Sequence, residues 1–191
     1  GCSMYLDEKI RMARQLEQLG VDIIEAGFPI ASEGDFNAVR AVSAECRNAT
    51  IAALGRTIEG DIFRAGDALK NAARSRIHTF VATSDIHPEY KLKKTRSEVL
   101  AMTRKAVRAA AGLADEVEFS AEDATRSDID FLCEVFTAAV EEGATILNVP
   151  DTVGYSTPDE FYRFMRYLIE QTPGGDRVTW SAGLMCGTCY Y

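Results

Sequence analysis

Short runs of apolar and β-branched residues alternate along the chain with longer segments whose apolar positions recur at the helical period of 3.6 residues. Candidate strands begin near Val21, Thr50, Arg76, Glu116, Ala144 and Val178. Each interval between these starts leaves room for one strand, one helix and two short loops. This alternation is typical of parallel βα units, so the sequence predicts an α/β fold built on a parallel sheet.

Several of the intervening segments carry the signals that begin and end a helix. From Met4 to Leu19 the apolar residues form one stripe at helical spacing. Ser127 is predicted to cap a helix that closes at Gly143. The stretch Thr157–Glu160 combines a capping threonine, a proline at the first helical position and a glutamate three residues on, which predicts a capping box. The segment Lys94–Leu113 is the remaining long helix.

Polar residues share one strand parity near the carboxyl ends of the candidate strands, and residues two apart in a strand point the same way. The groups are Glu118, Ser120 and Glu122; Asn148, Pro150 and Thr152; and His78, Phe80, Ala82 and Ser84. Converging polar groups of this kind are typical of the mouth of a (β/α)₈ barrel. A nucleotide-binding doubly wound sheet is disfavoured because no glycine-rich phosphate-binding motif follows any strand. We therefore predict a TIM barrel, incomplete because six strands stand where eight are needed.

Length and composition fit one globular domain with ordinary chemistry. The 191 residues are 47% hydrophobic and 26% charged, and the net charge of -8 argues against nucleic-acid binding. No apolar run is long enough for a membrane span and no signal-peptide layout is visible, so we expect a soluble, cytoplasmic protein. The five cysteines favour reduced thiols, although Cys186 and Cys189 form a C-x-x-C pair that leaves metal or redox use open.

Five segments, in order and at matching spacing, resemble the 2-isopropylmalate synthase family. They are GCSMYLDEK at 1–9, IEAGFP at 24–29, HTFVATS at 78–84, EFSAEDATR at 118–126 and NVPDTVGY at 148–155. The likeness runs to about residue 181. We therefore expect residues 1–181 to form a partial TIM-barrel catalytic domain, equivalent to about strands 2 to 7, and residues 182–191 to form a divergent tail.

The resemblance implies an acyltransferase of leucine biosynthesis that condenses acetyl-CoA with 3-methyl-2-oxobutanoate and then hydrolyses the thioester. It also implies a homo-oligomer and a divalent metal, Mg, Mn or Zn. The family's metal-binding L-R-D-G-x-Q segment would precede residue 1, and Gly183 and Met185 stand where its H-x-H pair would be. We therefore expect a chain truncated at both ends, without the family's metal ligands and inactive as this fragment.

The resemblance also implies roles for particular residues. Glu122 is expected to be catalytic, lining the oxo-acid pocket; an ion pair with Arg126 or Arg56 is the structural alternative. Asn148 and Thr152 are expected to bind and orient the substrate carboxylate, with loop and strand capping as the alternative.

Four further residues complete the expected site. His78 and Ser120 are expected to bind substrate, although either could simply fill the barrel interior. Glu25 ends an apolar strand, where a lone charge is costly, so it needs a partner such as Arg56. Glu25 and Arg56 are therefore expected to support the site. Outside this set, His87 and the run Lys91–Lys94 are expected to be solvated, although the lysines could attract the CoA phosphates.

Two rival functions remain open. An opened barrel exposes strand edges and apolar helix faces, so the chain could be a non-catalytic, self-associating barrel fragment. Alternatively, it belongs to a related homocitrate, citramalate or 3-hydroxy-3-methylglutaryl enzyme that uses another substrate.

Overall fold

A computed structural model describes residues 4–84, 94–154 and 156–184. The helices are α1 (Leu6–Leu19), α2 (Glu33–Glu45), α3 (Glu59–Leu69), α4 (Arg96–Ala111), α5 (Ile129–Glu141) and α6 (Pro158–Gln171). The strands are β1 (Ile23–Gly27), β2 (Thr50–Arg56), β3 (Ser75–Ala82), β4 (Glu116–Glu122), β5 (Ile146–Asp151) and β6 (Thr179–Leu184). Short 3₁₀ turns lie at Ala124–Arg126 and Gly175–Arg177.

The strands follow one another across a single six-stranded sheet in the order β1-β2-β3-β4-β5-β6. The pairs β1–β2, β4–β5 and β5–β6 are parallel. A doubly wound sheet reverses its strand order at a switch point, whereas a barrel keeps the strands in chain order. The topology therefore agrees with the predicted incomplete barrel.

The predicted element starts are close to the observed ones, with one exception among the caps. Every predicted strand start falls within two residues of the observed start. The expected cap at Ser127 is wrong, because the helix is capped by the next residue: the Asp128 carboxylate accepts from the Phe131 N–H at 2.8 Å. The Ser127 hydroxyl instead lies 2.7 Å from the Thr83 hydroxyl.

The chain divides into two compact units. The first comprises Gly1–Thr79 and Ala109–Val117. Its core lies around β2, where Ile51, Ala52 and Ala53 are buried. In this unit α1 contacts α2, α2 contacts α3, and α3 contacts β2. Helix α1 buries only Ala13 among its residues, so much of its apolar surface remains accessible.

The second unit comprises Phe80–Arg108 and Glu118–Tyr191. A row of edge-to-face aromatic rings joins a strand, a helix and a second strand of this unit. The Phe119 and Phe136 ring centroids lie 6.1 Å apart, and those of Phe136 and Trp180 lie 5.5 Å apart. Because Phe119 faces helix α5 through this contact, the alternate residues Ser120 and Glu122 face the opposite side of β4.

Some sequence predictions fall outside the described residues: the first three residues of the GCSMYLDEK motif, His87, Lys91 to Lys93, Met185 and the C-x-x-C pair. Of the cysteines that the structure describes, Cys46 and Cys133 carry free thiols. None of the helices in the described ranges is long and apolar enough to cross a membrane.

Candidate active site

A row of polar side chains crosses three neighbouring strands of the second unit. Ser120 on β4 is the register partner of Asn148 on β5, and Asn148 is the partner of Ser181 on β6. Partners in a parallel sheet point to the same face. The three side chains therefore share the face of the sheet opposite the aromatic row, which is the face the barrel prediction assigns to the site.

The Asn148 amide has a hydrogen-bond partner at its nitrogen but none at its oxygen among the described residues. Its Nδ2 donates to the Ser120 Oγ at 2.8 Å. Its Oδ1 is buried and accepts no hydrogen bond from any residue that the structure describes. A Cβ built on Gly183 would lie 3.7 Å from this oxygen, so the absence of a side chain at Gly183 leaves space beside it. A buried acceptor without a donor is costly, and a ligand donor would relieve that cost.

Thr152 follows β5 and is fixed through its hydroxyl oxygen. The Asp123 N–H donates to the Thr152 Oγ1 at 3.2 Å. A hydroxyl that accepts one bond retains its proton for another acceptor. Asp123 has φ 64°, the one positive φ at a non-glycine position among the described residues. Such strain concentrates at functional turns, and here it aims the Asp123 N–H at the Thr152 hydroxyl.

Asp151 organises the loop that carries Thr152. Its buried carboxylate accepts from the Thr125 hydroxyl at 2.9 Å, the Gly154 N–H at 3.2 Å and the Ser156 N–H at 3.1 Å. Burial acts to raise the pKa of Asp151, but these hydrogen bonds outweigh it and hold the pKa below its ordinary value. The residue is therefore a structural carboxylate that stays ionised.

Glu122 ends β4 and is half-buried. Its carboxylate makes no hydrogen bond or ion pair with any residue in the described ranges. The two arginines considered as ion-pair partners of Glu122 bind other carboxylates. The Arg126 Nε donates to the Asp123 Oδ1 at 2.6 Å. Arg56 likewise binds Asp61. Neither structural alternative for Glu122 is therefore observed among the described residues.

In the first unit the structure pairs Glu25 with His78. The Glu25 Oε2 lies 2.5 Å from the His78 Nδ1, and the Glu25 and His78 side chains are 45% and 15% exposed. The expected Glu25–Arg56 pair is therefore wrong. Glu25 is in register with Ala52, and Arg56 lies four residues further along β2. At about 3.3 Å per residue, that separation is roughly 13 Å along the strand.

Arg56 is bound instead within the turn from β2 to α3. Its Nε and Nη2 donate to the Asp61 carboxylate at 2.7 and 3.1 Å, and its guanidinium lies 5.7 Å from the Phe28 ring centroid. The Asp61 hydrogen bond raises the pKa of Arg56. Arg56 supports this turn, and the prediction that it supports Glu25 is corrected.

The described residues do not fit a metal ion. No group of three or more His, Cys, Asp or Glu side chains within those ranges is arranged to hold one. Gly183 and Asn148 leave space, but neither glycine nor an amide oxygen alone supplies the imidazole or carboxylate donors that a divalent ion selects.

Sequence reasoning missed Asp123 and Asp151, although both lie inside the quoted motifs. A signal was present for Asp151, since an aspartate followed by a glycine three residues on favours a turn closed by its own carboxylate, whereas Asp123 has no such signal. The sequence analysis chose alternate strand positions, which face the candidate site. Both aspartates lie at the intervening positions, so they were not chosen.

Parallel strands in chain order, with polar groups at their carboxyl ends, define a barrel-type enzyme domain. The chain belongs to the HMGL-like family, whose model matches residues 1–182. It is 58% identical over 168 residues to the 2-isopropylmalate synthase of Pyrococcus abyssi, covering 88% of this chain and 35% of that protein. It is 57% identical to the Chromobacterium violaceum 2-isopropylmalate synthase over 182 residues, which are 95% of this chain and 36% of that protein. The resemblance inferred from the five motifs is confirmed.

The chain spans about a third of the length of these curated relatives. Among solved structures, hydroxymethylglutaryl-CoA lyase from Pseudomonas aeruginosa is similar with a TM-score of 0.72 at 20% identity, covering 94% of this chain and 61% of that one. At this identity the likeness concerns the fold alone. It confirms the predicted α/β fold with an incomplete TIM barrel.

Proposed function

We propose that this chain carries the oxo-acid side of a 2-isopropylmalate synthase active site. The observation that carries the proposal is the identity of 51–58% to proteins of that name over 88–95% of the chain. The reaction would be a Claisen-type condensation of acetyl-CoA with 3-methyl-2-oxobutanoate.

The reaction places clear demands on the residues. A base removes a proton from the acetyl methyl group, and the resulting carbanion forms a bond to the keto carbon of the oxo acid. The keto oxygen becomes an alkoxide and takes up a proton, after which water hydrolyses the thioester and releases CoA. In our proposal Glu122 is the carboxylate that hydrogen-bonds the reacting groups, since it has no neighbour that neutralises it within the described residues.

The polar row and the loop after β5 would bind the oxo acid. Thr152 would donate its hydroxyl proton to the substrate carboxylate, because the hydroxyl oxygen is already occupied by the Asp123 N–H. Asn148 and Ser120, bonded to each other, would orient the acid on the sheet face. His78, in the first unit, is also proposed to bind substrate.

We also propose a cytoplasmic setting and a homo-oligomeric assembly. The free thiols of Cys46 and Cys133 support a reducing compartment. The exposed apolar side chains of α1 support association with another chain, since Met12 and Leu19 are 50% and 78% exposed. The family implies a divalent metal, but the described residues do not supply its ligands.

A chimera tests the reaction. Residues 1–182 would replace the matching segment of the Chromobacterium violaceum enzyme, and CoA release would be followed with acetyl-CoA and 3-methyl-2-oxobutanoate. We expect turnover, a loss of at least about a hundredfold in kcat for Glu122→Gln, and a raised KM for the oxo acid in Thr152→Val. Thr152→Ser keeps the hydroxyl and is the matched control. A chimera that folds but is inactive, or a Glu122→Gln variant with unchanged kcat, contradicts the proposal.

The same assay separates the related enzymes. A panel of 2-oxo acids with different side chains, including pyruvate and 2-oxoglutarate, measures kcat/KM for each. Preference for 3-methyl-2-oxobutanoate supports the synthase assignment, and preference for another acid favours a homocitrate or citramalate type. For the chain alone, we expect CoA release no faster than in buffer, and clear turnover would contradict that expectation.

A further inference from the structure

The contact between Glu25 and His78 joins two strands that are not neighbours. Glu25 lies on β1 and His78 on β3, and β2 lies between them in the sheet. Adjacent strands are about 4.8 Å apart, so the two side chains must reach across the intervening strand. The register partner of Glu25 on β2 is Ala52, whose side chain is a single methyl group.

The contact is directional. Only the Nδ1 of the ring faces Glu25, at 2.5 Å from Oε2. A carboxylate is an acceptor at neutral pH, so the nitrogen beside it must carry the hydrogen. Which ring nitrogen carries the proton is set by the hydrogen bond that fixes the ring.

We propose that Glu25 is a positioning residue that keeps the Nδ1 of His78 protonated and fixes the orientation of the ring. The consequence for substrate rests on the proposed function, in which His78 binds substrate. The protonation of Nδ1 does not rest on it, because it follows from the contact between two residues of the first unit.

A purely structural ion pair predicts something different. Glu25 is 45% exposed, and exposed ion pairs contribute little to stability. If the pair served stability alone, removal of the carboxylate would lower stability slightly and leave the protonation of Nδ1 unchanged. The state of the ring, rather than the stability of the fold, therefore decides between the two interpretations.

The chain makes this measurement unusually direct because it contains two histidines. In a His87→Gln background, ¹⁵N-histidine labelling gives the two ring-nitrogen signals of His78 alone. Long-range ¹H–¹⁵N spectra at pH 8.5, where an ordinary imidazole is neutral, report which nitrogen carries the hydrogen. We expect the Nδ1 signal in the protonated range. An Nδ1 signal in the unprotonated range overturns the proposal without any further variant.

Two variants and a control sharpen the test. Glu25→Ala removes the acceptor, and we expect Nδ1 to move toward the unprotonated range. Glu25→Gln keeps a carbonyl acceptor in place, and we expect it to retain most of the Nδ1 protonation. Asp22→Ala removes an exposed carboxylate just before the same strand, and we expect no change. Identical spectra for the parent and Glu25→Ala, with the fold preserved by circular dichroism, contradict the proposal.

The substrate-free spectra test the role of Glu25, and the chimera assay tests the proposed function, so either proposal can be contradicted without the other. If the chimera is active, Glu25→Ala should lower kcat/KM by about tenfold or more, because small displacements of a group that positions substrate are costly. An unchanged kcat/KM would contradict the expected effect of Glu25 on the reaction. The spectra would then decide whether Glu25 positions the His78 ring. An inactive chimera would contradict the proposed function but not the proposed role of Glu25 in the protonation of His78.

Discussion

The buried carboxylate of Asp151 accepts three hydrogen bonds, and two of them come from the loop that carries Thr152. A side chain that is 2% exposed cannot exchange these donors for water without unfolding the loop. Thr152 is therefore held from two sides, by its own hydroxyl bond to Asp123 and by the loop that Asp151 closes. At the scale of a residue, the Asp151 carboxylate stabilises the loop that positions Thr152.

Replacing Asp151 by Asn removes the charge and turns half of the acceptor into a donor. We expect Asp151→Asn to lower the free energy of unfolding by about 1 to 3 kcal/mol, because backbone N–H groups of the loop lose a charged acceptor. Urea unfolding at pH 7, followed by Trp180 fluorescence, measures the change. Asp159→Asn, at an exposed carboxylate in the first turn of α6, is the matched control and should shift the midpoint far less.

The lowered pKa of Asp151 also predicts how this contribution depends on pH. A carboxyl whose pKa is lower when folded stabilises the fold above its unfolded pKa of about 3.9, and this stability is lost as the pH falls through the folded value. The difference between the parent and Asp151→Asn should thus be full at pH 7 and shrink below about pH 4. A difference that grows on acidification contradicts this sign.

At the scale of an element, α6 shows how completely a local signal can define a helix start. The Thr157 hydroxyl and the Glu160 N–H form one half of the capping box, and the Glu160 carboxylate accepts from the Thr157 N–H at 2.9 Å to form the other. Pro158 occupies the first helical position, as the sequence predicts. All three residues lie within one turn, so no distant contact is needed.

Removal of this cap should have a measurable cost. We expect Thr157→Ala to lower the free energy of unfolding by about 1 kcal/mol, because N–H groups of the first turn lose an acceptor. Thr157→Ser preserves the hydroxyl and should retain most of the stability in the same urea titration. Equal losses for the two variants would place the effect in the threonine methyl group rather than in the cap.

Features fixed by neighbours in sequence could be predicted, whereas features fixed across the sheet could not. The strand starts and the α6 cap follow from local patterns. Ser127 and Asp128 are adjacent and both carry side-chain oxygens that can cap a helix. The local pattern predicted Ser127 as the cap of α5, whereas the structure shows Asp128 in that position. The partner of Glu25 depends on the register of β1 and β3 against β2, which strand parity does not reveal.

At the scale of the whole molecule, α1 leaves apolar side chains in water. Met12 and Leu19 lie seven residues apart, so they share one face of the helix. We expect the chain to associate through apolar faces of this kind, and the double variant Met12→Lys, Leu19→Lys to reduce the mass measured by light scattering. Gln15→Lys with Gln18→Lys adds the same charge at exposed polar positions and is the matched control. A stable monomer of the parent chain at all concentrations contradicts the expectation.

The chain-order arrangement of the strands has a consequence for biosynthesis. Each new strand joins the edge formed by the strand synthesised just before it, so sheet pairing never waits for a distant part of the polypeptide. Such neighbour-by-neighbour connectivity keeps the sequence separation of strand pairs short, which favours rapid folding. The ribosome delivers residues from the amino end at a limited pace, and this domain can therefore assemble its sheet one βα unit at a time during translation.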